Sequence, residues 1–351
     1  MLGSQGQLQP QQQQQQQPYP QQQPQQYQPQ QQHQGSYAHA AGPGSQAYGH
    51  CVTIAPQAPF LVSPGAGPNV PAPTQAELSN LSLVLERLWG LDVNRYEPGK
   101  HFALNLQNKT FVSNTNDKAE DLLFKNLDSS LFRQRSTFAK FVTLLDNYTE
   151  QSGVAETVSA ARSKEEREFI DLISATGPIQ YTHKYLIARK LADSDPANFK
   201  QQLHQIWFEL YKRVVKNDTS AFEHNFAGET RDGEVVGFHN WVTLALKEKA
   251  GRAGYRGFIL PKSKGGRGPH PTGSDAVLSL QLSWNGDVKP VSTFLIGVSP
   301  EYELALCTLA FLAGPEGSPV PVVIDDVNCE VVVHQFTNLS GQKIGSAYVS
   351  I

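Results

Sequence analysis

The chain has 351 residues, a formal charge of −3 and 39% hydrophobic residues, a length that allows about two domains at ~150 residues each if all of it packs. No run approaches the ~20 apolar residues of a membrane-spanning helix, and the start, MLGSQGQLQPQ, has neither the basic nor the apolar region of a secretory leader. The three cysteines form no CxxC pair, which argues against a disulfide framework or a zinc ribbon and sets the expectation of a reducing, intracellular compartment, cytoplasm or nucleus.

In chain order, residues 1–73 come first. The run QLQPQQQQQQQPYPQQQPQQYQPQQQHQGSYAHAAGPG carries almost no aliphatic side chains, too few to offset the entropy of ordering it. Composition predicts a disordered Gln/Pro-rich tail, with polyproline II character where Pro recurs. Tyrosines among the polar tract make it a candidate for self-association; apart from the tail, a monomer is expected. Thr74-x-x-Glu77 is a capping box, and Leu78, Leu81, Leu85, Leu88 and Trp89 follow it at helical spacing. Further helices are predicted at 136–148, at 164–175 behind a Ser163-x-x-Glu166 box, at 179–192, and at 196–215, where Asp195-Pro196 supplies an N-cap and a first-turn proline. Residues 74–215 therefore read as a mostly helical subdomain.

Past Asn217 the pattern changes. A short helix is predicted from Asn240 to a stop at Gly251, then strands at 255–260, 277–284 and 291–298. Ser299-Pro300 opens a helix through Leu312, and VPVVID and EVVVHQF return to strand. Residues 216–351 thus read as a β-rich subdomain, and the class over 74–351 is α+β.

The segment 222–241, FEHNFAGETRDGEVVGFHNW, sets His224 and His239 on either side of a glycine-rich turn, with Glu223 and Glu229 nearby. Three readings fit. The histidines can be a satisfied core pair. They can join the glutamates around a hard divalent ion, although no HExxH or Cys/His cluster supports zinc. Or they can be an acid–base couple, since imidazole titrates near neutrality. Such a couple suits RNA transesterification, with one His taking the 2′-hydroxyl proton, the other protonating the departing 5′-oxygen, and a cation neutralising the phosphorane. Lys289, after a strand and a Gly turn, is a candidate cation, or an ordinary solvated lysine.

FEHNFAGE, GEVVGFHNW and KPVSTFLIGVSPEYELALCTLAFL, with LERLWGLDVNRYEPGKHFALNLQ, FAKFVTLLDNY and QIWFELYKR upstream, strongly resemble the EndoU (XendoU-type) family of endoribonucleases over nearly all of 74–351. The resemblance implies a two-part fold and a uridylate-specific endoribonuclease, of lyase or hydrolase class, that cleaves single-stranded RNA to 2′,3′-cyclic phosphate ends, commonly with Mn2+. It matches His224, His239 and Lys289 to the catalytic set, with His239 as base and His224 as acid, and Glu223 and Glu229 to acidic residues that bind the metal or support the site. Thr293, or less favourably Ser292, matches the hydroxyl that reads uracil, and Tyr348, with Ser346 nearby, the ring that packs on the nucleotide.

Two features depart from the family. The connection 261–275, PKSKGGRGPHPTGSD, looks longer than usual and carries Lys262, Lys264 and Arg267, candidates for RNA backbone contact or simply a solvated insertion. Val349 stands where the family has Pro after the terminal Tyr. The alternative function is an RNA-binding protein of the same fold with little turnover.

Overall fold

The computed structural model describes residues 70–261, 270–338 and 341–351. The tail through residue 69, with its expected disorder and self-association, and Lys262, Lys264 and Arg267 lie outside the described residues.

The class is α+β. Thr74 caps α1 (Gln75–Ser79) through the expected reciprocal bonds: its backbone N–H donates to the Glu77 carboxylate at 2.6 Å and its hydroxyl accepts from Glu77 N–H at 3.2 Å. Asn80 then breaks the run and caps α2 (Leu81–Leu91), so the one expected helix is two. After α3 (Ser136–Leu144) comes α4 (Ala160–Ile173), which starts earlier than expected. Ser159 is its cap, while Glu166 of the supposed box lies inside the helix and accepts from the Arg162 guanidinium at 2.8 Å. Next come α5 (Gly177–Ala188) and α6 (Pro196–Trp207). The latter ends eight residues before the expected 215, because Asp218 folds the chain back by accepting from the N–H groups of Arg213, Val214 and Val215.

The turn forecast between the histidines is an antiparallel hairpin, β1 (Glu229–Arg231) and β2 (Glu234–Val236). Helix α7 (Trp241–Lys249) precedes the antiparallel sheet of β3 (Ala253–Phe258), β4 (Val277–Trp284) and β5 (Asp287–Leu295). Helix α8 (Pro300–Ala313) leads to a second antiparallel sheet, β6 (Val320–Ile324), β7 (Val327–Asn338) and β8 (Gly341–Ser350), in that order. Strand β5 packs between the hairpin and β8.

Two aromatic beds root the parts that matter. Trp241 stacks on Phe102 at 5.3 Å, meets Phe132 edge-on at 5.3 Å, and donates from its indole to the Val298 carbonyl at 2.9 Å. Phe141, Phe169 and Phe208 from the helical half enclose Phe222, 5.5, 6.1 and 4.9 Å away respectively, and Phe141 meets Phe226 at 5.8 Å. Cys307 and Cys329 are buried and free.

Candidate active site

Phe222 and Phe226 are four apart, so on a helix both can dock into one bed. Between them the chain widens into a π turn, Glu223–Ala227, marked by a bond from Gly228 N–H to the Glu223 carbonyl at 2.8 Å. His224, in the middle, is 5% exposed. Its Nδ1–H donates to Glu229 Oε2 at 2.7 Å, across the start of the hairpin. Burial brings its pKa down to about 4, against the pull of that carboxylate.

The second imidazole is brought alongside by main-chain bonds. Phe238 N–H donates to the His224 carbonyl at 3.0 Å and His239 N–H to the Asn225 carbonyl at 2.8 Å. This approach requires Gly237, at φ +62°, where an added Cβ would sit 1.8 Å from the His224 carbonyl oxygen. Ser292 holds the ring in place: its hydroxyl lies 3.1 Å from His239 Nδ1 and 3.4 Å from the Phe238 carbonyl. Among the described residues no protein group bonds the Nε2 of either ring. Burial, then the charges of Lys289 and His224, hold His239 well below its ordinary pKa.

Lys289 reaches this pair through an irregularity in β5. Leu280 pairs with Ser292 but Leu282 with Lys289, so two residues, Pro290 and Val291, oppose one on β4. The bulge tolerates a residue without an N–H. It also turns Lys289 and Ser292 to the same buried side, with Pro290 and Val291 exposed between them. A regular strand would put residues three apart on opposite faces. The ammonium donates to the Gly237 carbonyl, and burial lowers its pKa to about 7. The bulge also explains why this strand starts at Asp287 and not at the expected 291.

Thr293 is held by the Ser279 hydroxyl at 2.6 Å. It shares with His239, Asn225, Glu303 and Tyr348 the lining of a narrow cavity of about 20 Å³, room for about one water. Tyr348 stacks on His239, 5.0 Å between centroids and 13° between planes, and its hydroxyl lies 3.3 Å from His334 Nε2. Ser346, two residues back on β8, shares its face. A far larger cleft, about 950 Å³, lies behind the hairpin among Glu150, Arg231, Asp232 and Lys247 and holds none of the expected site residues.

The two glutamates part company. Glu229 is fully buried against His224. Glu223 faces inward, its carboxylate accepting from Ser220 N–H at 3.2 Å. Burial, then the charges of Glu156 and Glu229, push its pKa up to about 10. Glu229 is already committed to an imidazole, and among the described residues no three His, Cys, Asp or Glu side chains converge on a common point, so the pair does not fit the several-oxygen shell of a hard divalent ion. Sequence reading missed Gly237, whose need lies in a distant carbonyl. It also gave no site role to Asn225, although that residue directly follows a histidine.

Residues 80–349 match the family described as Endoribonuclease XendoU. The chain belongs to the XendoU family of endoribonucleases. Uridylate-specific endoribonuclease C of Danio rerio is 40% identical over 286 residues, which cover 79% of this chain and 90% of the relative. Poly(U)-specific endoribonuclease-B of Xenopus laevis is 38% identical, with 77% and 93% covered. The solved structure of XendoU, a splicing-independent snoRNA processing endoribonuclease, superposes with a TM-score of 0.68 at 37% identity, covering 77% of this chain and 96% of its own. As a XendoU-family endoribonuclease, the chain has RNA as its substrate. Among its described residues no helix is long and apolar enough to cross a membrane.

Proposed function

We propose that this endoribonuclease cleaves single-stranded RNA at uridylates by transesterification. The observation that carries the reading is the pair of imidazoles on back-to-back segments, each with Nδ1 in a hydrogen bond and Nε2 without one among the described residues, beside a buried lysine. His239 Nε2 accepts the 2′-hydroxyl proton, the 2′-oxygen bonds to phosphorus, and the bond to the 5′-oxygen breaks as His224 delivers a proton to it. The products are a 2′,3′-cyclic phosphate and a free 5′-hydroxyl. Lys289 neutralises the charge gathered on the phosphorane.

The partners support this division of roles. Glu229 works for the charged form of His224, as an acid needs, against the burial that brings its pKa to about 4, while burial and the charge of Lys289 favour a neutral His239, as a base needs. Glu223 supports the turn that carries His224. The Thr293 hydroxyl lines the cavity beside His239 and suits a uracil edge presented at its mouth, since the cavity itself admits no more than about one water, and the Tyr348 ring suits stacking, worth ~1–3 kcal/mol per base. Uridine preference also accords with the names of the relatives. No step is routed through a metal.

The test is the purified full chain with an RNA oligonucleotide holding one uridine, beside a copy with 2′-deoxyuridine there, each with manganese and with EDTA. Cleavage 3′ of the uridine to a cyclic phosphate, in the ribose copy alone, is expected. Tight binding of both copies with neither cut would make the protein an RNA-binding module.

A further inference from the structure

Asn225 joins the chain segments that make up the site. Its backbone carbonyl accepts the His239 N–H at 2.8 Å. Its side-chain amide donates to the Ala221 carbonyl, one turn back, at 2.6 Å, and its Oδ1 accepts the Ala347 N–H at 2.6 Å. Ala347 lies between Ser346 and Tyr348 on β8, the edge of its sheet. An edge strand carries main-chain donors with no neighbouring strand to receive them. Here the acceptor is a side chain from the residue after His224.

The residue is 2% exposed. A buried amide is tolerated only where its polar atoms find partners, and each partner here belongs to an element of the site. The Tyr348 ring is one residue along from Ala347, and its stacking distance to His239 depends on where that edge sits. We propose that Asn225 is a positioning residue that sets β8 against both imidazoles, fixes the gap between the Tyr348 ring and the Thr293 hydroxyl that line one cavity with it, and thereby selects uridine over cytidine. The inference rests on the uridylate-cleaving reading above.

Without the Asn225 carboxamide, the Ala347 amide hydrogen loses its acceptor. Strand β8 then relaxes towards water and takes Tyr348 off His239. Asn225→Asp keeps the Oδ1 acceptor but loses the donor to Ala221 and adds a negative charge near two imidazoles. The experiment compares kcat and KM on single-uridine and single-cytidine RNAs for the wild type, Asn225→Ala and Asn225→Asp. Expected for Asn225→Ala is a uridine-to-cytidine ratio of kcat/KM lowered at least fivefold. Expected for Asn225→Asp is a ratio near wild type, with the pH–rate profile moved to higher pH.

Equal losses on both bases in Asn225→Ala, or a ratio as low in Asn225→Asp, would overturn the inference. Amide hydrogen exchange of the wild type gives a second reading that needs neither variant folding nor turnover. Ala347 should exchange as slowly as amides within the β7–β8 ladder; exchange at the rate of an open edge overturns the tie. A wild type that cuts neither base would sink the uridylate reading, and Ala347 exchange would still decide the tie.

Discussion

At the scale of single residues, the site turns on groups whose charge differs from their ordinary state. Lys289, with its pKa lowered by burial to about 7, is cationic below that pH and neutral above it. The phosphorane loses its counter-charge as the lysine deprotonates, so kcat/KM should fall as pH rises through about 7. Lys289→Arg keeps the charge at all such pH values, and the alkaline fall should move up by more than one pH unit. An unmoved limb would assign it to another group. Alanine at His224, His239 or Lys289 should each lower kcat by ~10²–10⁴, with RNA binding largely kept. Glu223 makes the opposite case. Its folded pKa of about 10 lies above its unfolded value near 4.5, so the folded chain holds a proton that the unfolded chain releases over that window. Stability therefore declines as pH rises, by up to ~1.4 kcal/mol per pH unit from this group. Glu223→Gln should flatten the slope of melting temperature between pH 5 and 9 and keep cleavage. A variant that folds but no longer responds to manganese would instead make Glu223 an ion ligand.

At the scale of elements, the β5 bulge is the device to test. Deleting Val291 restores one-for-one pairing with β4 and keeps Lys289 on the face of Ser292, but only two residues away, so the ammonium shifts by about one residue, ~3.3 Å, along the strand relative to the Ser292–His239 contact. The expected outcome is a lowered kcat, while melting falls by only a few degrees. Full activity would mean that the bulge is not what places the lysine. The bulge also shows what the sequence could not disclose. Thr74-x-x-Glu77, Asp195-Pro196, Asn240 and Ser299-Pro300 announced their helix starts because a cap is local chemistry. Ser163-x-x-Glu166 has the same spelling, yet Glu166 is spent on Arg162 and His204. The glycine-rich turn between the histidines was legible as a turn. The π turn was not, since Phe222 and Phe226 at four-residue spacing spell an ordinary helix. The site residues were named through family motifs, whereas their hydrogen-bond partners, Gly237 and Asn225 above all, are tertiary facts.

At the scale of the whole molecule, the bed under His224 is built largely from the helical half, through Phe141, Phe169 and Phe208, while Lys289 and Tyr348 come from two different sheets. The Gln/Pro-rich stretch holds none of these residues, so a chain lacking 1–73 should cleave a single-uridine RNA at the full-length rate; loss of all cleavage would give that stretch a part in the chemistry. Changing Lys262, Lys264 and Arg267 together should lower the slope of log affinity against log salt by up to ~2, at ~0.7 per phosphate on a single strand. An unchanged slope would make the insertion a bystander. The π turn has a consequence for descent as well as for chemistry. It spends one residue more than an α turn, and each helical residue turns the chain by about 100°, so losing one changes the direction in which the chain leaves for the hairpin. One three-base deletion between Phe222 and Gly228 would leave a turn of nearly the same length and swing the His224 ring out of line with Glu229 and His239. For this chain, cutting RNA and merely gripping it can therefore stand a single codon apart.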